Sequence, residues 1–417
     1  MKSDSEVISA ILQARHRRWT WKLRNLCLFV QEKDRRHAKA RYRRKPRNHH
    51  RNRGYAVAER DWLDPTVFKR MFRVDRASFN VILELIEPFM EKRDEQKATN
   101  SSGCAISLKM RLAVTLRWLA GGSHLDICFA FGVANSTFFS HRGVLWPTVM
   151  AINEAFTMSF PHNDPAQLEE MSNGFFDHSG GVLDGCLMAI DGFGVKCRCP
   201  YKSEDLRRKD YRFRKGGFAI IVLAGCDVNA RFIFATANHS GSANDIYAWQ
   251  DSDLYQFLEV EGSLPPKYFF IGDEAFTNTQ QFLSPWTGRG LDRYKDSFNY
   301  WLSHSRQCVE RSFGMLTKRF GIFWWPLICS MDKWSMTILV CMKLHNFCLS
   351  HNDGIPTRRW HEDVRDNDEW GVYANDQPDD FFLRGRARGD RRRDITQKLE
   401  LLGVIRPLHA MANSRTT

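Results

Sequence analysis

From Asp61 onward, apolar positions recur at helical spacing. In DWLDPTVFKRMFRVDRASFNVILELIEPFM they are Phe68, Phe72, Phe79, Ile82, Leu83 and Ile86, and Pro65 after Asp64 marks a helix start. A polar linker, Glu91 to Gly103, follows. Leu108, Leu112, Val114, Leu116 and Leu119 then predict one helix, stopped by Gly121-Gly122. A short helix, His124 to Phe131, ends at Gly132, and Asn135 or Ser136 caps a third that runs to about Val149. Helix, short helix, glycine turn and capped helix outline a helix-turn-helix, although any three-helix bundle shares that outline. In the first reading the third helix faces DNA, with Ser136, Thr137, Ser140, His141 and Arg142 near its start.

Residues 151–180 carry few periodic signals and read as including loop. From Val182 the texture becomes mixed. VLDGCLMAIDGFGVKCR, GFAIIVLAGCDV and RFIFATANHS predict three successive strands, with DVNAR as a hairpin turn. NDIYAWQDSDLYQFLE predicts a helix, and KYFFIGDEAF another strand. In HSRQCVERSFGMLTKRFGIF, the residues Val309, Phe313, Leu316 and Phe320 fall at i, i+4, i+7 and i+11, one helical stripe. MDKWSMTILVCMKLHNFCL predicts a second long helix, and a short helical piece lies near Ile395 to Leu402. The mixed strands and helices make this an α/β chain with an all-helical N-terminal part.

Charge adds a feature that the pattern does not show. Residues 1–60 hold 18 Lys and Arg against 5 Asp and Glu, while the other 357 residues hold 43 of each sign. All the net charge of +13 therefore sits on an N-terminal arm, densest at ARYRRKPRNHHRNR. Such an arm suits a polyanion or nuclear import, the plainer reading being a solvated tail. The opening MKSDSEVISA has no charged-then-apolar pattern, and the longest apolar run, GFAIIVLAGC, is about half of a membrane span. A nuclear protein is expected, with the cytoplasm left open and no membrane partner. The eleven scattered cysteines read as reduced thiols. Cys341, His345 and Cys348 share one helix face and could hold zinc, but core packing is the simpler account.

Three acids stand out by position. Asp191 ends the first predicted strand, Asp273 ends the fourth in FFIGD, and Glu310 lies on the edge of the apolar stripe of its helix. Neighbouring parallel strands would bring the two aspartates side by side, with the helix looking across at them. Arg306, Gly314 and Thr317 flank Glu310, while Arg311 and Lys318 lie on its far side, placed for phosphates. Converging carboxylates with no lysine between them call for a cation, and hard oxygen ligands favour Mg²⁺ or Mn²⁺. Two such ions about 4 Å apart would suit phosphodiester cleavage, or strand transfer with a 3′-hydroxyl as nucleophile. The basic residues Arg212, Arg214 and Lys215 of YRFRKG are further candidates for the DNA backbone.

The words AIDG, YRFRKG, SGSANDIYAW, IGDEAF, HSRQCVERSFGMLTKRF and LHNFC, in this order over roughly residues 105–350, resemble the PIF/Harbinger-type transposases and their domesticated nuclease relatives. The resemblance implies a DDE enzyme with an RNase H-like mixed sheet flanked by helices, preceded by the helix-turn-helix-like domain. It implies Asp191, Asp273 and Glu310 as a metal-binding catalytic triad, with Asp245 at a further acidic position. Asn244 stands where the family usually has histidine, and Phe193-Gly194 where it has Thr-His, which would alter a contact at the mouth of the site. The organisation expected is a basic arm (1–60), a helical bundle (61–150), the nuclease domain (181–350) and a polar tail (351–417). The expected partners are double-stranded DNA, a separate Myb-like DNA-binding protein and further copies of the chain. A catalytically silent DNA-binding or adaptor protein is the alternative.

Overall fold

The computed structural model describes residues 64–90, 106–205, 207–355 and 391–407. The basic arm and most of the polar tail lie outside them. Helix α1 (Pro65–Phe72) starts as its sequence predicts: Pro65 needs no amide partner, and Asp64 accepts from the Thr66 amide at 2.8 Å. Asp75 caps α2 (Arg76–Ile86) through the Ser78 amide, and Ser107 caps α3 (Leu108–Leu119) through that of Met110.

Helix α4 (His124–Ala130) follows, but the predicted third helix is broken. It divides into α5 (Asn135–Phe139) and α6 (Leu145–Ala155). The Val144 amide donates back to the Thr137 carbonyl, and a side chain at Gly143 would overlap that same oxygen. Helix α7 (Pro165–His178) occupies a stretch that carries little signal in the sequence. Its stripe is sparse (Leu168, Met171, Phe175), and Gly174 interrupts it because Val228 packs where a side chain would begin.

The sheet is mixed. Strands β1 (Cys186–Cys197), β2 (Phe218–Cys226) and β3 (Phe232–Ser240) form an antiparallel meander. The helix predicted after β3 breaks into α8 (Asp245–Gln250) and α9 (Asp253–Leu258), because Ser252 starts a new cap. Strands β4 (Phe269–Ile271) and β5 (Phe282–Leu283) add in parallel on the other side, giving the order β3-β2-β1-β4-β5. Helices α10 (Arg293–Arg319) and α11 (Trp334–Ser350) cover one face, and α8 and α9 the other. This mixed five-stranded sheet flanked by helices is the RNase H-like α/β arrangement. One apolar core joins its α10 face to the N-terminal helices, from Phe68 and Phe79 to Phe313 and Phe347. Helix α12 (Arg391–Leu402) returns to α10: Arg392 lies 3.8 Å over the Trp286 ring, and the Trp286 indole donates to Thr396. Among the described residues, no helix is long and apolar enough to cross a membrane.

The word LHN finds a structural use. Asn346 accepts from the Phe232 amide at 2.8 Å and donates to the Phe232 carbonyl at 2.7 Å. Beside it, the buried His345 Nε2 bonds the Ala230 carbonyl at 3.0 Å. Together they clamp the β2–β3 turn to α11. Burial pushes the His345 imidazole down from 6.5 to about 4. Between those values the unfolded chain takes up a proton that the folded chain refuses. The histidine's contribution is therefore intact above about 6.5 and is lost as pH falls toward 4, on the order of 3 kcal/mol. Denaturant melts from pH 7 to 4.5 should show this slope in the wild type and a flatter one in His345→Gln; parallel slopes would refute it.

Candidate active site

Strand β1 runs apolar up to Ile190 because both faces of the sheet are covered there. The register then explains why acids can follow. Ala189 pairs with Ile271, the last residue of β4, so Asp191 and Asp273 each stand two residues beyond that pair. β1 does not end on Asp191 as expected but continues to Cys197 against β2 alone, and a gap opens where β4 has ended. Asp273 turns the chain at this gap by accepting from the Ala275 amide at 3.0 Å.

A third carboxylate enters from α8. Asn244 caps that helix through the Tyr247 amide at 3.0 Å, and this sets Asp245 as its first residue. Asp245 is buried with its carboxylate against Gly192, where any side chain would overlap it. The glycine after Asp191 is therefore a packing requirement. The side-chain oxygens of Asp191, Asp245 and Asp273 lie within 4.8 Å of one another.

A cation lies beside these acids. Arg306 on α10 places Nη2 3.1 Å from Asp191 Oδ2 and 3.7 Å from Glu310 Oε1. Glu310 thus reaches the cluster through Arg306, and its side chain stays 47% exposed against 2% for Asp191. Asp191 also accepts from its neighbour's amide, Gly192, at 2.8 Å. Burial pushes the Asp191 carboxyl up from 3.8 to about 7, Asp273 and Asp245 add to the rise, and Arg306 opposes it.

The donor set suits a hard divalent cation. All three cluster ligands are oxygens, two of the acids are buried, and Arg306 supplies one positive charge against four carboxylates. No other group of three His, Cys, Asp or Glu among the described residues is placed for a metal. That includes Cys341, His345 and Cys348, all buried, with His345 engaged to the Ala230 carbonyl.

The family departures also have physical accounts. Phe193 is buried, and its ring stacks on Phe313 of α10 at 4.7 Å. Gly194 leaves room for the Phe213 ring. That ring anchors YRFRKG, with Arg212, Arg214 and Lys215 exposed around it. Ser136 lies exposed and Thr137 half-buried on the short α5, while Ser140, His141 and Arg142 are exposed in the link to α6 and form no continuous reading helix with them. Arg311 donates to the Val228 carbonyl at 2.8 Å, tying α10 to the β2–β3 turn, and Lys318 is exposed about two turns further along the same face. Space is open beside Gly314.

The sequence comparisons agree with this geometry. Residues 190–346, from Ile190 within β1 to Asn346 on α11, match the family model of the DDE superfamily endonucleases. A protein named ALP1-like from Arabidopsis thaliana is 25% identical over 306 residues, 70% of this chain and 72% of the relative. The Arabidopsis thaliana protein named Antagonist of like heterochromatin protein 1 is 26% identical over 305 residues, 69% of this chain and 74% of its own. No solved structure matches the chain significantly. Over residues 190–346 the chain is thus similar to the DDE superfamily endonucleases, in keeping with its resemblance to the PIF/Harbinger-type, transposase-derived proteins.

Proposed function

We propose that this chain uses its DDE endonuclease domain to cleave phosphodiester bonds of double-stranded DNA at transposon-type ends, with Mg²⁺ or Mn²⁺ as cofactor. The observation that carries the reading is the convergence of three carboxylates, from β1, α8 and the exit of β4, within 4.8 Å. Asp191, Asp245 and Asp273 would hold the metal, with Glu310 at the exposed side of the same gap. A divalent ion bound there supplies Lewis-acid stabilisation of the phosphoryl oxygens and a water of lowered pKa. The chain's own part is to fix the carboxylates on rigid elements and to orient the strand. Arg212, Arg214, Lys215 and Lys318 are exposed and suited to backbone phosphates. Ser136, Thr137, Ser140, His141 and Arg142 would contact DNA as a bent surface. The basic arm supplies salt-sensitive affinity and an address for the nucleus. Strand transfer would use the same site, with a 3′-hydroxyl in place of water.

The second reading is a catalytically silent DNA-binding or adaptor protein that works with a Myb-like partner in chromatin. Two observations favour it: the name of the 26% identical relative, and the engagement of Glu310 with Arg306 rather than with the aspartates. The purified chain, given Mg²⁺ or Mn²⁺ and DNA bearing its own terminal inverted repeats, decides between them. Metal-dependent nicking is expected. DNA binding without cleavage in either metal would leave the adaptor reading standing.

A further inference from the structure

We propose that Arg306 is the resident counter-ion of the carboxylate cluster, a positioning residue that holds Asp191 in place before metal enters and competes with the metal for it. The proposal rests on the metal-centre reading above and adds a role that the aspartates and Glu310 do not have.

The geometry separates the two bonds of Arg306. Its contact with Asp191 is direct, at 3.1 Å, between a side chain 14% exposed and one 2% exposed. Its contact with Glu310 is looser, at 3.7 Å, to a carboxylate that is half in solvent. Along a helix, a basic residue four positions before an acid is the weaker of the two orders. Helix propensity alone therefore gives little reason for Arg306 to turn toward Glu310. Burial gives a strong reason for it to face Asp191, since a buried carboxylate beside two others is costly without a positive partner.

A divalent ion held by the same aspartates would face this fixed charge within a few ångströms. Binding must then weaken the Arg306–Asp191 bond, and Glu310 offers the guanidinium a second partner one helical turn away. Metal affinity is set by this exchange: the same arginine that steadies the empty cluster raises the metal concentration needed to fill it.

Mn²⁺ titration of the full chain by calorimetry, with melting curves in chelator, tests the exchange. Arg306→Gln should bind Mn²⁺ about tenfold more tightly than wild type, since one opposing charge has gone. It should also melt lower without metal and gain more from added Mn²⁺. Arg306→Lys, which keeps the charge, should stay within about threefold of wild type. Should Arg306→Gln fail to fold in chelator, refolding it across a Mn²⁺ series should recover the folded protein, and no recovery overturns the proposal. Wild-type binding with an Arg306→Gln affinity that is equal or weaker overturns the role of Arg306 alone. Absence of Mn²⁺ binding by every form overturns the metal centre, and the counter-ion role with it.

Discussion

Asp191→Asn is expected to abolish metal-dependent DNA cleavage, with a loss of about three orders of magnitude or more, while the fold stays at least as stable as wild type. Both halves follow from one position. Asp191 sits where β1 loses its β4 neighbour, buried beneath α10, with its oxygens shared between Arg306 and the cluster. Asparagine keeps the volume, so no cavity forms, and its one oxygen can accept from Arg306 while its amide nitrogen takes the place of the oxygen that accepts from Gly192. What it removes is the charge that a divalent ion would bind.

The stability half depends on the sign of the shift. The carboxyl is held near 7, above its unfolded value of 3.8, chiefly by burial. Between those values the folded chain holds a proton that the unfolded chain has released. The associated stability is present at low pH and is lost as pH rises through 7. The neutral amide escapes that loss, so in chelator at pH 7.5 Asp191→Asn should melt at or above the wild-type temperature. A large fall in melting temperature would mean that the bonds of Asp191 to Arg306 and Gly192 stabilise the fold by more than the buried charge costs. Wild-type cleavage rates in the variant would remove Asp191 from the mechanism.

Much of this site was legible in the sequence because its parts are local. An apolar run followed by an acid reads as a strand delivering a side chain, as Asp191 and Asp273 do, although β1 runs on past Asp191 to Cys197. The meander β1–β2–β3 was legible from runs bounded by turn residues. The rest depends on partners far along the chain. The first half of α10 buries mainly Ser297, Phe298, Leu302 and Ser305, too sparse a stripe to read, because α12 covers it from nearly a hundred residues away. The helix break at Gly143 needs the Thr137 carbonyl to explain it. Asp245 was visible only as an acid at a helix start; its place in the cluster depends on Gly192, from a strand more than fifty residues earlier. Arg306 could be placed beside Glu310 by helix geometry, but nothing local turns it toward Asp191.

The other large effect separates Asp245 from Glu310. Asp245→Asn is expected to weaken Mn²⁺ binding by at least about 10²-fold, since losing even an outer-shell partner commonly costs 10–100-fold. Glu310→Gln should change the affinity by less than about fivefold, in line with the small worth of exposed ion pairs. The difference follows from position: Asp245 is buried with its oxygens inside the 4.8 Å group, whereas Glu310 is half in solvent behind Arg306. Cleavage should still fall in both variants, because DNA phosphates at the gap would draw Arg306 away and let Glu310 close on the site. Calorimetry reads the first quantity and nicking rates the second, so binding and turnover can part company. If instead Glu310→Gln lost the metal and Asp245→Asn kept it, the ligands would be two aspartates and the helix glutamate, as the family resemblance implies. Asp245 would then serve only to pack against Gly192.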